Sequence, residues 1–319
     1  ESLVCGAMAS VTSSDLAPAR LDKCLREDAF VVVRVSDEFV TAARAATSAM
    51  EAFEEEEEED HDDDKEDNAS YSRREPQYGA QRIRQTARSF SVVRGDATWP
   101  SAAFRERLER YVERVDELCA TFNVALSRVL ANRFLGVHDD YVALNAGTGS
   151  NRVLRAMYYP DAAAENHCVG YVGIAAHTDY ELYTVIFETS PGLELRSHRD
   201  QPWRRPSSSG ESVVVILAGD ALEFISGGAF PAAQHRVPRL PHRRTSLVFF
   251  QPLNDDVRLA PLPLRTPQQR RSRRKASRRR RDHLPLEADA RVCPPEHRTQ
   301  LEHILARENT AKRRRADLE

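Results

Sequence analysis

Two histidines and an aspartate in the second half of the chain have the types and spacing of a metal-ligand set. His177 and Asp179 are two residues apart, so on an extended backbone both side chains leave the same face. His235 follows 58 residues later (235 − 177), so a fold that brings distant strands together is needed to unite the three. Two imidazoles and one carboxylate form the facial triad of non-haem iron(II) sites, which leaves positions open for a co-substrate and oxygen. Zinc with an open fourth position is the alternative for the same ligands.

A second pair of residues has the geometry to bind a carboxylate. Arg244 and Ser246 are two apart at the start of an apolar, strand-like run that ends at Phe250. A guanidinium fork and a hydroxyl on one face of a strand suit a single carboxylate. Arg243 is the competing arginine, but alternation along the strand places it on the opposite face. This pair beside the metal ligands favours a bound 2-oxo acid.

The order and spacing of these motifs resemble the iron(II)- and 2-oxoglutarate-dependent dioxygenases, in the branch that includes isopenicillin N synthase and the plant flavonoid and gibberellin oxidases. The resembling segments are residues 176–180, 219–223, 226–228, 234–237 and 244–246. The resemblance covers roughly residues 21–315, apart from two charged tracts. It implies iron(II), 2-oxoglutarate and oxygen as cofactor and co-substrates, with ascorbate as a candidate reductant.

The resemblance also implies roles for individual residues around the co-substrate. In the family the far carboxylate of 2-oxoglutarate meets an arginine and a serine, which here are Arg244 and Ser246. A family stretch Asn-Tyr-Tyr-Pro is Met157-Tyr158-Tyr159-Pro160 in this chain, so Tyr159 takes the supporting contact and the asparagine is absent. A core aromatic on an inner strand is the alternative interpretation of Tyr159.

Short apolar runs separated by glycine and proline turns indicate an all-β sandwich or jelly roll from Val153 onward. The expected strands there are 154–160, 171–176, 182–187, 192–196, 212–217, 222–225 and 246–251. Upstream we expect helices over 19–27, 39–53 and 102–134, the last capped by Ser101, and strands over 29–34 and 89–94. The predicted fold class is mainly β with flanking α-helices, a distorted double-stranded β-helix of the jelly-roll or cupin-like kind.

Two tracts of like charge interrupt this pattern. Residues 51–67 hold thirteen acids and one lysine, and residues 270–281 hold nine arginines or lysines and no acid. Such runs repel themselves and bury nothing, so we expect disordered insertions. The predicted organisation is a disordered lead (1–20), a helical and strand region (21–150) with an acidic insertion (51–75), the oxygenase core (151–260), a basic insertion (261–292) and a C-terminal helix (293–319).

Cysteine usage and hydropathy bound the setting of the protein. The five cysteines are odd in number, scattered and never in C-x-x-C pairs, which favours a reducing compartment. No apolar run approaches the roughly 20 residues that span a bilayer. We expect a cytoplasmic monomer without membrane or nucleic-acid partners, with nuclear import through the basic tract as the alternative location.

The predicted function is oxidation of a small organic substrate by hydroxylation, desaturation or ring closure, with release of succinate and carbon dioxide. One alternative is an oxidase similar to isopenicillin N synthase, in which Arg244 and Ser246 hold the substrate's carboxylate and no 2-oxoglutarate is used. Another is a nucleic-acid-associated protein that uses the basic tract at 270–281.

Overall fold

Helices cover one face of a large β-sheet, and a small sheet covers the other face. The computed structural model describes residues 11–12, 16–60, 79–83, 87–93, 99–148, 152–161, 172–198, 200–206, 212–267 and 269–270. The helices are α1 Pro18–Glu27, α2 Asp37–Asp60, α3 Ala102–Arg133, α4 Tyr141–Asn145 and α5 Asp220–Ile225. None of the described helices is both long enough and apolar enough to cross a membrane.

Eleven strands within the described residues form the two sheets. They are β1 Val11–Thr12, β2 Phe30–Arg34, β3 Gly79–Ile83, β4 Ala87–Val93, β5 Val153–Tyr159, β6 Val172–His177, β7 Tyr183–Glu188, β8 Glu194–Arg196, β9 Val213–Ala218, β10 Gln234–Pro238 and β11 Arg244–Gln251. The large sheet has the order β1-β2-β9-β7-β11-β5-β4-β3, and the small sheet has the order β6-β10-β8. Every pairing is antiparallel except that of β1 with β2.

Side-chain alternation along the strands of the large sheet separates two cores. On β11, Leu247 and Phe249 join the core beneath the helices, whereas Val248 packs against the core between the two sheets. We call the face that carries Val248 the inner face. On β7, Ile186 lies on this face as well, and Phe187 points towards the helices. Position parity therefore decides which side chains reach the space between the sheets.

The long helix α3 braces the outer face of the large sheet. Ser101 caps it, because its hydroxyl oxygen accepts a hydrogen bond from the Phe104 N–H at 3.1 Å. Leu108, Tyr111 and Leu126 on this helix lie fully buried in the core beneath the helices. Burying each such side chain stabilises the fold by about 1.5–3 kcal/mol. The helices predicted over 19–27 and 102–134 are confirmed to within one residue, and Ser101 is confirmed as a cap.

Most of the predicted strands are confirmed to within two residues, but 222–225 is helical and not a strand. Gly219 precedes α5, whose buried residues are Ala221, Leu222 and Ile225. The run 222–225 is too short to show whether its apolar residues repeat with the helical or the strand period. Periodicity alone therefore does not separate a short helix from a buried strand here.

The prediction that the acidic insertion starts at residue 51 is wrong. Helix α2 continues to Asp60, and Glu54 on it is buried. The part of α2 that contains Glu51 and Glu55 is bonded to β11. Thr245 Oγ1 donates to Glu51 Oε1 at 2.8 Å, and Arg243 pairs with Glu55. Helix-to-sheet contacts thus offset the repulsion between neighbouring acids. The rest of the predicted insertion lies outside the described residues.

The predicted limits of the lead and of the basic insertion are also wrong. Val11–Thr12 pairs with β2, and α1 starts at Pro18, a residue suited to a first helical turn. Further on, the Leu135 N–H donates to the Pro263 carbonyl at 2.7 Å and the Arg265 N–H to the Arg133 carbonyl at 2.8 Å. The chain around residue 264 is therefore bonded to the end of α3. The basic tract beyond 270 and the predicted helix at 293–319 lie outside the described residues.

The contact between α1 and α3 makes stability depend on pH. Arg133 donates two hydrogen bonds to Asp22, at 2.7 and 2.9 Å, within a largely buried ion pair. Burial alone would raise the pKa of Asp22, but these bonds and the charges of Arg133 and Arg26 lower it below its usual 3.8. A carboxylate with a lowered folded-state pKa stabilises the fold above its unfolded pKa and loses that contribution as pH falls through the folded value.

We therefore expect Asp22→Asn to lower the free energy of unfolding by about 1–3 kcal/mol near neutral pH. The deficit should shrink at strongly acidic pH, once the pH has fallen through the lowered folded-state pKa and the wild-type carboxylate is also protonated. Urea unfolding of both proteins at the two pH values measures this difference. A deficit of the same size at both values would contradict the assignment.

Candidate metal centre and carboxylate site

His177, Asp179 and His235 converge at one end of the small sheet. His177 ends β6 and lies directly opposite His235 on β10, which brings the ring centroids to 4.1 Å. The Nε2 atoms of both histidines lie 3.6 Å from Asp179 Oδ1. One ligand atom from each residue lies within 4.8 Å of the others, and no other group of this kind occurs in the described part of the chain. The structure thus brings together all three predicted ligands.

The remaining polar atoms of the triad are held by the protein. In each histidine, Nδ1 is within hydrogen-bond distance of the backbone carbonyl oxygen two residues earlier. The Nδ1–oxygen distance is 2.8 Å for His177 and 3.1 Å for His235. With Nδ1 donating to a carbonyl, Nε2 carries the lone pair that a metal needs. Thr184 Oγ1 donates to Asp179 Oδ2 at 2.6 Å, which leaves Oδ1 towards the histidines. The donor set therefore fits a divalent metal with three protein ligands.

Burial is uneven around this centre. The side chains of His235 and Asp179 are only 8% and 7% exposed, but that of His177 is 44% exposed. Burial lowers the pKa of His235, which keeps the imidazole in its neutral, metal-binding form. Burial and the nearby Asp179 together raise the pKa of Glu181 to about 7, so this acid adds less negative charge than its type suggests.

A close backbone approach fixes the loop that carries Asp179. The Asp220 N–H donates to the Asp179 carbonyl at 2.7 Å, and the Gly219 N–H donates to the Leu182 carbonyl at 3.2 Å. A Cβ atom at Gly219 would lie 2.0 Å from the Glu181 carbonyl oxygen. The φ of −102° at Gly219 suits any residue, so the backbone conformation does not require glycine. The lack of space for a Cβ atom does.

Gly219→Ala should lower metal affinity and stability together, because the Asp179 loop must move to admit the methyl group. We expect a loss of about 1–3 kcal/mol in the free energy of unfolding. Thermal unfolding with and without added metal measures both effects. Gly136→Ala is the control for metal affinity alone: a Cβ there meets nothing within 4 Å, but the positive φ of 71° strains alanine, so this variant should lose stability without losing metal affinity. An unchanged metal affinity in Gly219→Ala would show that the loop adapts without moving Asp179.

The segment between α5 and β10 delivers His235. The Glu223 carboxylate accepts from the Ala232 N–H at 2.6 Å, and Ser226 Oγ accepts from the Phe230 N–H at 3.0 Å. Between them Gly227 and Gly228 have positive φ angles of 59° and 78°, which glycine adopts without strain. These contacts set the start of β10 and explain the glycine, serine and glutamate of this stretch.

Arg244 is fully buried and partly paired. Its Nη2 donates to Glu188 Oε2 at 2.7 Å, its Nε donates to the Ser190 carbonyl at 3.1 Å, and its Cζ lies 4.7 Å from the centre of the Tyr159 ring. Burial alone would lower the pKa of Arg244, but Tyr159 and Glu188 reverse the effect and raise it. The guanidinium is therefore a permanent cation inside the fold.

The predicted partners of Arg244 lie where alternation places them. Tyr159 is its cross-strand neighbour on β5, and Ser246 is buried two residues along the same face of β11. Arg243 is 60% exposed and pairs with Glu55, away from this face. The structure thus brings together Arg244, Ser246 and Tyr159 and separates them from Arg243.

Unpartnered polar atoms mark a place for a ligand beside Arg244. Arg244 Nη1, Glu188 Oε1 and Ser190 Oγ are buried and have no hydrogen-bond partner among the described residues. Buried polar atoms of this kind are rare and costly, so they point to a missing polar group. The Nη1 edge fits a carboxylate oxygen.

One face of β7 connects this carboxylate site with the metal ligands. Thr184 bonds Asp179, and Glu188 bonds Arg244. These two residues are four apart (188 − 184), which is about 13 Å along a strand, and both belong to the inner face. An elongated ligand with a chelating end and a carboxylate end suits this arrangement.

Sequence reasoning did not identify Glu188 or Thr184. The available signal was parity: both lie an even number of residues from Ile186 in an otherwise apolar strand. Polar residues on the inward side of such a strand need partners, which marks them as candidates.

Comparison with known proteins identifies the family that the segment around the site resembles. Residues 150–252 match the family model described as the 2OG-Fe(II) oxygenase superfamily, a segment that contains the triad and the Arg244 site. Residues 150–252 thus carry the sequence pattern of the 2OG-Fe(II) oxygenase superfamily. The superfamily predicted from the sequence is thereby confirmed.

Two curated relatives show the extent of the likeness to other oxygenases. Jasmonate-induced oxygenase 4 of Arabidopsis thaliana is 27% identical over 175 residues, which cover 54% of this chain and 48% of the relative. A 2-oxoglutarate-dependent dioxygenase of Didymella fabae is 31% identical over 168 residues, which cover 50% and 48%. The chain thus spans about half the length of the curated relatives it matches.

A solved oxygenase structure shows the same fold. The dioxygenase for auxin oxidation in rice superposes with a TM-score of 0.58 at 18% identity, over 86% of this chain and 95% of that one. The predicted fold class, mainly β with flanking helices in a double-stranded β-helix, is confirmed. At this identity the likeness concerns the fold alone.

Proposed function

We propose that this chain is an iron(II)- and 2-oxoglutarate-dependent dioxygenase that oxidises a small organic substrate. The observation that carries the proposal is the shared inner face, where a three-ligand metal centre and a buried arginine with an unpartnered edge flank β7. The match of residues 150–252 to the superfamily and a relative that is named a 2-oxoglutarate-dependent dioxygenase support it.

The protein's own contribution is to hold and orient the reacting groups. His177, Asp179 and His235 would bind the metal from one side and leave its other positions for a 2-oxo acid and oxygen. When bound, iron(II) with oxygen and 2-oxoglutarate supplies the oxidising power, and 2-oxoglutarate leaves as succinate and carbon dioxide.

The two ends of the co-substrate would meet different parts of the inner face. Arg244 Nη1 would receive the far carboxylate of 2-oxoglutarate, with Ser246 and Tyr159 beside it. The half-exposed His177 and the exposed Tyr180 line the solvent side of the centre, where a substrate would enter. Hydroxylation, desaturation or ring closure would follow from which C–H bond the pocket presents to the metal.

Binding and turnover of the intact chain test the proposal. We expect one iron(II) per chain under anaerobic conditions, metal-dependent binding of 2-oxoglutarate, and release of succinate in air with a library of small organic acids. Absence of metal-dependent 2-oxoglutarate binding would contradict the proposal. Oxidation of a substrate without succinate would favour the alternative similar to isopenicillin N synthase.

A further inference from the structure

Glu188 places a fixed negative charge on the arginine that would receive the co-substrate. Its Oε2 accepts from Arg244 Nη2 at 2.7 Å and from the Leu193 N–H at 3.2 Å. The two side chains of the ion pair are only 1% and 7% exposed. Both partners are therefore held within the protein interior, where water screens their charges poorly.

The ion pair cancels the charge that would attract a second carboxylate. Arg244 contributes one positive charge and Glu188 one negative charge, so the pair is neutral overall. Glu188 Oε1 is buried with no described partner, so only the two hydrogen bonds to Oε2 offset the charge of this carboxylate. A ligand carboxylate that binds Arg244 Nη1 therefore gains from the guanidinium and is repelled by Glu188.

We propose that Glu188 is a specificity-determining residue that weakens the preference of this pocket for a far carboxylate on the 2-oxo acid. The inference rests on the proposed function, because it concerns the same co-substrate. In physical terms, the Arg244 guanidinium would bind two carboxylates at once, that of Glu188 and that of the ligand. Binding of 2-oxoglutarate is then weaker than an unshared arginine would allow, and 2-oxo acids with an uncharged far end suffer a smaller disadvantage.

Three proteins and two ligands separate charge from shape. The proteins are the full-length wild type, Glu188→Gln and Glu188→Asp, each loaded with Mn(II). The ligands are 2-oxoglutarate and 2-oxopentanoate, which has the same five-carbon chain but ends in a methyl group. Titration calorimetry gives the dissociation constants without turnover. Glutamine keeps the size of the side chain and removes its charge, whereas aspartate keeps the charge.

We expect the dissociation constant of 2-oxoglutarate to be lower in Glu188→Gln than in the wild type by a factor of roughly ten or more. The reason is that the ligand carboxylate no longer faces the Glu188 carboxylate. Binding of 2-oxopentanoate should change by less than about threefold, since it brings no charge to Arg244. Glu188→Asp should keep the wild-type ratio between the two ligands. Equal tightening for both ligands, no tightening, or a changed ratio in Glu188→Asp would each overturn the inference.

Thermal unfolding provides a second readout if the glutamine variant is less stable. Removing Glu188 leaves Arg244 buried without a counter-ion, so this variant should melt at a lower temperature than the wild type. Saturating 2-oxoglutarate should then raise its melting temperature more than that of the wild type, and 2-oxopentanoate should not. Equal shifts with both ligands would contradict the inference. A wild type that binds neither ligand in a metal-dependent way would overturn the proposed function itself.

Discussion

His235→Ala should lower iron(II) affinity by at least about a hundredfold and abolish turnover, while the protein remains folded. The magnitude follows because loss of a group that merely orients a ligand already costs about 10–100-fold, and His235 is itself one of the three candidate ligands found among the described residues. His177→Ala should behave in the same way. Metal titration by calorimetry, with circular dichroism to establish folding, measures the effect.

The matched control is His242→Ala, which removes an exposed histidine from the turn that precedes β11. It should bind metal as the wild type does. If His235→Ala were active at the iron concentration that suffices for the wild type, the three residues could not be the metal ligands that turnover requires. Loss of metal binding in the control as well would indicate a general defect of the sheet.

Arg244→Ala should weaken 2-oxoglutarate binding by about ten- to a hundredfold, because a charge-assisted contact to a carboxylate contributes about 1.5–3 kcal/mol. It should also lower the free energy of unfolding by about 3–5 kcal/mol, since Glu188 is left buried without its partner. Arg244→Lys keeps a cation near Glu188 and should recover most of the stability but less of the affinity, because lysine lacks the guanidinium fork.

Arg243→Ala is the control for this position. It removes the neighbouring guanidinium on the opposite face, which is 60% exposed and paired with Glu55. An exposed pair contributes about 1 kcal/mol or less, so both affinity and stability should stay close to those of the wild type. A larger loss of 2-oxoglutarate affinity in Arg243→Ala than in Arg244→Ala would reverse the assignment.

The sequence was most informative where residues of suitable chemistry are spaced by the two-residue period of a β-strand. The two-residue spacings of His177 with Asp179 and of Arg244 with Ser246 predicted which side chains share a face, and the structure brings together each pair. The position of His235 opposite His177 depends on strand pairing, which spacing alone does not specify. The resemblance supplied that step, since it carries the topology of a whole family.

Two of the misjudged features depend on tertiary contacts that the local sequence does not show. Charge repulsion correctly describes an isolated acidic run, but it omits Thr245 and Arg243, which bond Glu51 and Glu55 from another part of the chain. Glu188 escaped prediction for the same reason. Its importance depends on Arg244, a residue 56 positions away that only the pairing of β7 with β11 brings near.

The unequal exposure of the three candidate ligands has a kinetic consequence. Asp179 and His235 are enclosed, so water and chelators reach a bound metal from the side of His177, which is 44% exposed. Release of the metal should then begin with dissociation of His177 and end with the enclosed pair. We therefore expect the lifetime of a bound metal to depend mainly on His177, although its equilibrium affinity would depend on all three ligands.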